Sequence, residues 1–216
     1  MLTGIPIFAA LAYVVALVCQ VIPPVQGFLS IDFKDAVIAI ASFIYGPISA
    51  VLISLIAAFV ELITISSTGW YGFVMNFVSS AVFSLTASLI YRKWRSLNGA
   101  LASFLSAILA TVSVMLLLNI FVTPLYMAQV GIPLDQAGVI AMIPTVLFPF
   151  NLAKSLINAA LAMLIYKPII TALRRLKLVE GTSSLTPNRD TVKILIIGGI
   201  CLVVAIVTFV LINLGG

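Results

Sequence analysis

Asn151, Lys154 and Asn158 stand at i, i+3 and i+7 with Ser155 beside them, so on a helix they form one polar stripe in an otherwise apolar segment. An ammonium set among carboxamides can donate to and accept from the polar edges of a ligand. Asn119 and Thr123, four residues apart, make a second polar face, and Asn76 and Glu61 are further polar side chains inside apolar runs. Phe28, Trp70, Tyr71, Phe73, Met75, Tyr126 and Met127 fall at similar positions along their segments. Together they could wall a pocket for a flat, partly apolar molecule with several hydrogen-bonding groups. The competing reading is a buried packing network, with Lys154 paired to Glu61 and the asparagines bonded across helices.

This set binds rather than makes or breaks bonds. There is no histidine, so an HExxH zinc site, a Ser-His-Asp triad and a histidine proton relay are all excluded. No nucleophile is accompanied by a base, and no acidic metal cluster occurs, so the chain does not read as an enzyme and implies no cofactor. No G-x-x-x-x-G-K-[ST] loop occurs either, so any transport must be energised by a partner or a gradient. Cys19 and Cys201 lie inside the first and last apolar runs and read as apolar filler.

The elements that must carry these residues follow from composition. Of 216 residues, 63% are hydrophobic and 8% charged, against about 25% charged in soluble proteins. With a mean hydropathy of +1.30, the chain is an all-α polytopic membrane protein. The apolar runs predict spans at Ile5–Ile22, Asp35–Tyr45, Pro47–Thr64, Trp70–Tyr91, Ala100–Leu125, Ala137–Ile170 with breaks at Pro144 and Pro149, and Val192–Leu214. The first lacks a basic leader and a small-residue cleavage site and reads as a retained helix. The second run is too short to cross a bilayer core, which takes about 20 helical residues. The loop from Pro24 to Lys34 is therefore expected to fold inward and complete that crossing.

Arg92, Lys93 and Arg95 form one basic cluster, and Lys167, Arg174, Arg175, Lys177, Arg189 and Lys193 flank the last linker. The positive-inside rule places these loops, and with them the N-terminus, in the cytoplasm, and puts Asn76, Glu61, Asn119, Asn151 and Lys154 in the outer half of the bilayer. Basic residues confined to the ends of spans set topology and hold lipid headgroups, so nucleic acid is not an expected partner. Ala12 and Ala16 make a small-xxx-small pair that would let another helix approach the first span closely.

The segments "FLSIDFKDAVIAIASFIYGP" from Phe28, "TGWYGFVMNF" from Thr68 and "FPFNLAKSLIN" from Phe148 resemble the S components of energy-coupling factor vitamin transporters, specifically the riboflavin-binding type. The resemblance covers Ile5 to Lys177 and implies six spans, capture of riboflavin from outside, and partnership with a membrane T component and two cytoplasmic ATPases. It implies that Asn119, Asn151 and Lys154 contact the flavin while the first loop, with Phe28 and Leu29, helps close the pocket. Asn76, Glu61, Tyr71 and Thr123 complete the candidate site. The alanine docking motif for the T component is only partly present, since Phe8 lies one turn before Ala12.

The expected organisation is a six-span core over residues 1–177, a cytoplasmic linker over 178–191 and an extra transmembrane helix over 192–216, in the cell membrane. The expected function is ATP-driven uptake of riboflavin as transported substrate. The alternatives are an S component for folate, thiamine or pantothenate, or an autonomous gradient-driven carrier.

Overall fold

In the computed structural model, residues 4–175 and 189–214 are described. They form α1 (Gly4–Cys19), α2 (Lys34–Tyr45), α3 (Pro47–Thr64), α4 (Gly69–Lys93), α5 (Leu97–Gln129), α6 (Gln136–Met142), a π-helical stretch (Ile143–Leu147), α7 (Phe148–Arg175) and α8 (Arg189–Leu214). Four helical stretches are long and apolar enough to cross a membrane, and Gly4–Cys19 and Ile196–Val210 are shorter apolar helices.

The organising element is α2. Every residue from Lys34 to Ser42 is buried, because α1, α3, α4 and α7 all pack against it. A helix enclosed on all sides needs an apolar or internally paired surface all round, and VIAIA at 37–41 supplies it. Gly46 ends α2 at φ 99°, a conformation glycine adopts without strain, and Pro47 opens α3 at its first position, where no amide donor is needed.

The 12 residues of α2 rise only about 18 Å. As expected, the preceding loop folds inward: Leu29, Ile31 and Asp32 are buried. Its tip is a tight turn with positive φ at both Gln26 (52°) and Gly27 (78°), closed by Val25 and Leu29 exchanging backbone hydrogen bonds at 2.9 and 3.0 Å.

The prolines act differently from expectation. The chain stays helical from Gln136 to Arg175, with Pro144 absorbed by the π-helical stretch and Pro149 in the first turn of α7. A wider turn accommodates a residue that cannot complete the i to i−4 ladder. Likewise α5 continues past Pro124 to Gln129, so Tyr126 and Met127 are helical rather than part of a loop.

Ala12 and Ala16 are buried within the chain, facing α2 and α3, so the helix they admit belongs to this chain and not to a partner. The outward face of α1 is instead Ile7, Leu11, Val14 and Val18. Ala12→Leu is expected to overpack this seam and lower stability by about 1–3 kcal/mol, read as the denaturation midpoint in detergent. An unchanged midpoint would contradict the seating of α1.

The last helix packs on α7. A Cβ at Gly198 would lie 3.1 Å from the Leu164 side chain, so glycine permits the close approach. It starts at Arg189, before the expected Val192. The expected linker lies outside the described residues up to position 188.

Candidate functional site

The two polar faces read from the sequence meet. α5 presents Met115, Asn119, Val122, Thr123 and Tyr126, α7 presents Phe150, Asn151 and Lys154, and α4 presents Tyr71, Gly72, Met75, Asn76 and Ser79 to one cleft at the end opposite the Gly46–Pro47 turn. Phe28, Leu29 and Ser30 of the first loop and Thr68 complete its wall. Tyr126 lies 6.4 Å from Phe28 and 6.1 Å from Tyr71, ring centre to ring centre, so the three rings form one aromatic wall.

Eight of the nine candidate residues line this cleft; Glu61 does not. Trp70, Phe73 and Met127 are also absent from its wall. Trp70 is exposed and packs edge-on against Phe73 at 5.7 Å, while Met127 is buried elsewhere.

The amides are held by their own helices. Asn119 Nδ2 donates to the Met115 carbonyl at 2.7 Å and its Oδ1 accepts from Thr123 Oγ1 at 2.8 Å. Asn151 Nδ2 donates to the Leu147 carbonyl at 2.7 Å, at the end of the π-helical stretch. Each amide keeps further hydrogen-bonding capacity while being oriented by its bond to the preceding turn.

Lys154 is paired, but with Asp32 rather than Glu61: Nζ lies 2.8 Å from Asp32 Oδ2. Glu61 receives Lys34 Nζ at 2.8 and 2.7 Å and Asn76 Nδ2 at 3.1 Å. Lys34 also lies 3.7 Å from Asp32. Ser80 Oγ donates to Asp35 Oδ1. A buried network of three carboxylates and two ammoniums therefore lies directly behind the cleft.

Asn158 belongs to this network and not to the cleft. Its amide donates to the Asp32 and Lys154 carbonyls at 2.9 and 3.0 Å and accepts from the Ala36 amide at 2.9 Å. One helical stripe thus splits, with Asn151 and Lys154 facing the cleft and Asn158 fastening α7 to the first loop and α2.

Asp32 and Lys34 stand close together in the first loop, but nothing local names their partners. Asp32 and Lys154 are 122 positions apart.

Residues 1–166 match the family described as "ECF transporter, substrate-specific component". The chain belongs to that family. This S component is thus a transporter subunit embedded in a membrane, not an enzyme, and α8 lies beyond the matched residues. It is 27% identical over 176 residues to the riboflavin transporter RibU of Staphylococcus aureus (strain TCH60), covering 81% of this chain and 93% of that one. It is 26% identical to the riboflavin transporter FmnP of Bacillus subtilis (strain 168), covering 76% and 89%. It is 30% identical to the RibU of Streptococcus thermophilus (strain ATCC BAA-250 / LMG 18311), covering 81% and 85%. A solved S component of a bacterial ECF transporter superposes with a TM-score of 0.66 at 27% identity, covering 81% of this chain and 97% of that one.

Proposed function

We propose that this S component binds riboflavin in the cleft between α4, α5 and α7 and delivers it across the cell membrane when a T component and two ATPase subunits act on it. The observation that carries the reading is the convergence of Asn119, Asn151 and Lys154 on one aromatic-walled cleft, in a chain similar to three riboflavin transporters over most of their length. The basic loop at Arg92–Arg95 then faces the cytoplasm with the N-terminus, and the cleft faces outward.

The flavin ring system is flat and neutral, and its pyrimidine edge alternates carbonyl acceptors with an N–H donor. Asn119 and Asn151 can serve both kinds, Lys154 donates to a carbonyl or a ribityl hydroxyl, and Phe28, Tyr71 and Tyr126 cover the ring. Asp32 decides the charge preference. Because it neutralises Lys154, the cleft presents a donor without a net positive charge, which suits a neutral ligand better than the carboxylates of folate or pantothenate. The free space among the lining side chains is about 90 Å³, below the roughly 300–1,000 Å³ of pockets for drug-sized ligands. Admitting a flavin therefore requires the wall to open, and the Phe28–Ser30 segment is its only non-helical part apart from Thr68.

Titration of the purified protein with riboflavin, followed by quenching of flavin fluorescence, tests the reading. Lys154→Met keeps the apolar stem and removes the donor, and should weaken binding by about 10- to 100-fold, the worth of a hydrogen bond to a charged group. Wild-type protein that does not quench the flavin, or a variant with unchanged affinity, would refute the assignment.

A further inference from the structure

A second cavity, of about 340 Å³, opens at the other end of the molecule, between the α2–α3 turn and the last turn of α4. Its wall carries Arg92 and Arg95, with Tyr45, Tyr91 and Ser88 around them. Transport chemistry at the flavin cleft uses none of these residues. We propose that this cavity is a binding site for a phosphate-bearing anion, held by the guanidinium groups of Arg92 and Arg95.

Two exposed arginines at the end of a membrane helix ordinarily set topology and meet lipid headgroups without forming a defined site. Here both line a half-open cavity rather than a flat surface, and among the described residues neither pairs with a carboxylate. Asp32, Asp35 and Glu61 are committed to the buried network, and Asp135 caps α6 by accepting from the Gly138 amide at 2.8 Å. The local helix termini do not cancel the arginines. The C-termini of α2 and α4 contribute about −0.5 charge each and the N-terminus of α3 about +0.5, against two full positive charges, which leaves a site that favours an anion.

The residue types suit a phosphate in particular. Guanidinium groups bind tetrahedral oxyanions in bidentate fashion, and two of them share this wall with Ser88 and Tyr91. Phe43 and Ile48 add apolar surface for whatever the phosphate is esterified to. The same chemistry is offered by an anionic phospholipid headgroup and by a soluble phosphate compound. Trp94, exposed between the two arginines in sequence, is an interfacial type of residue that places the cavity at headgroup depth.

Full-length protein in nanodiscs of phosphatidylcholine alone, or with phosphatidylglycerol added, gives the first arm, with retained lipid counted by native mass spectrometry. Pyrophosphate added to the protein in detergent gives the second, read as a shift in thermal midpoint. Retention of phosphatidylglycerol without a pyrophosphate response supports a lipid site. A midpoint shift with pyrophosphate, and competition between the two, supports a site open to soluble phosphates. Arg92→Gln/Arg95→Gln should reduce either signal about tenfold or more, while Lys93→Gln, outside the cavity wall, should keep it. Arg92→Lys/Arg95→Lys, the milder variant, keeps the charge and should still lose part of the signal. The proposal is overturned if neither anion binds, if Lys93→Gln loses as much as the arginine variants, or if the lysine variant matches wild type.

Discussion

Replacing Lys34 with methionine should lower the stability of this S component by about 3–5 kcal/mol, the usual cost of removing one partner from a buried ion pair. Lys34 is 1% exposed, and its ammonium lies 2.7–2.8 Å from both oxygens of Glu61. Methionine retains most of the stem volume, so the loss is electrostatic rather than a cavity. Without the ammonium, Glu61 keeps, among the described residues, only the Asn76 amide, and three buried carboxylates face one ammonium instead of two. The check is the denaturation midpoint in detergent, together with the double variant Lys34→Met/Glu61→Gln. If the pair is responsible, neutralising Glu61 recovers part of the loss. A double variant whose midpoint equals the sum of two independent losses would show that the pair does not hold α2 to α3.

Asp32→Asn should act on ligand preference as well as on stability. Asp32 is the partner of Lys154 and lies within 3.7 Å of Lys34, and its backbone carbonyl is held by Asn158. Asparagine preserves the shape but leaves the Lys154 ammonium uncompensated at the cleft between α4, α5 and α7. Riboflavin affinity is expected to fall about tenfold or more, because the ammonium is no longer held in place. Affinity for the phosphate ester of the same flavin should fall less, since the cleft then carries net positive charge. That ratio separates a positioning role from simple destabilisation, which would weaken both ligands alike. Equal losses for the two ligands, or wild-type affinity for both, would remove Asp32 from the binding mechanism.

The stripe at 151–158 illustrates what could and could not be read in advance. Spacing alone put Asn151 and Lys154 on one face, and the structure places both in the cleft. Spacing also put Asn158 there, yet its amide is consumed by three bonds to the first loop, α2 and its own helix. A period of 3.6 residues specifies direction from a helix axis, but not which neighbour occupies that direction.

The same limit explains the prolines and the alanines. Pro144 and Pro149 each interrupt a local hydrogen-bond pattern, which read as breaks, but a wider turn and packed neighbours keep the helix continuous. Ala12 and Ala16 signalled close helix approach correctly. That the approaching helices are α2 and α3 of the same chain is a matter of topology, and no property of α1 could name them.

By itself, then, the sequence determined that the chain is a helical membrane protein, because so few charges cannot clothe a soluble surface. It also determined which polar residues were costly enough to require a purpose, since Glu61 is the one charged residue of Pro47–Thr64 and Lys154 lies deep inside Ala137–Ile170, whose other charge, Lys167, is at the end of the run. Only the tertiary structure decided how those charges are matched. Lys154 takes Asp32 and Lys34 takes Glu61 because a short central helix and an inward-folded loop bring residues far apart in the chain within hydrogen-bond reach. Coulomb attraction is indifferent to sequence separation, so the pairing had to wait for the packing.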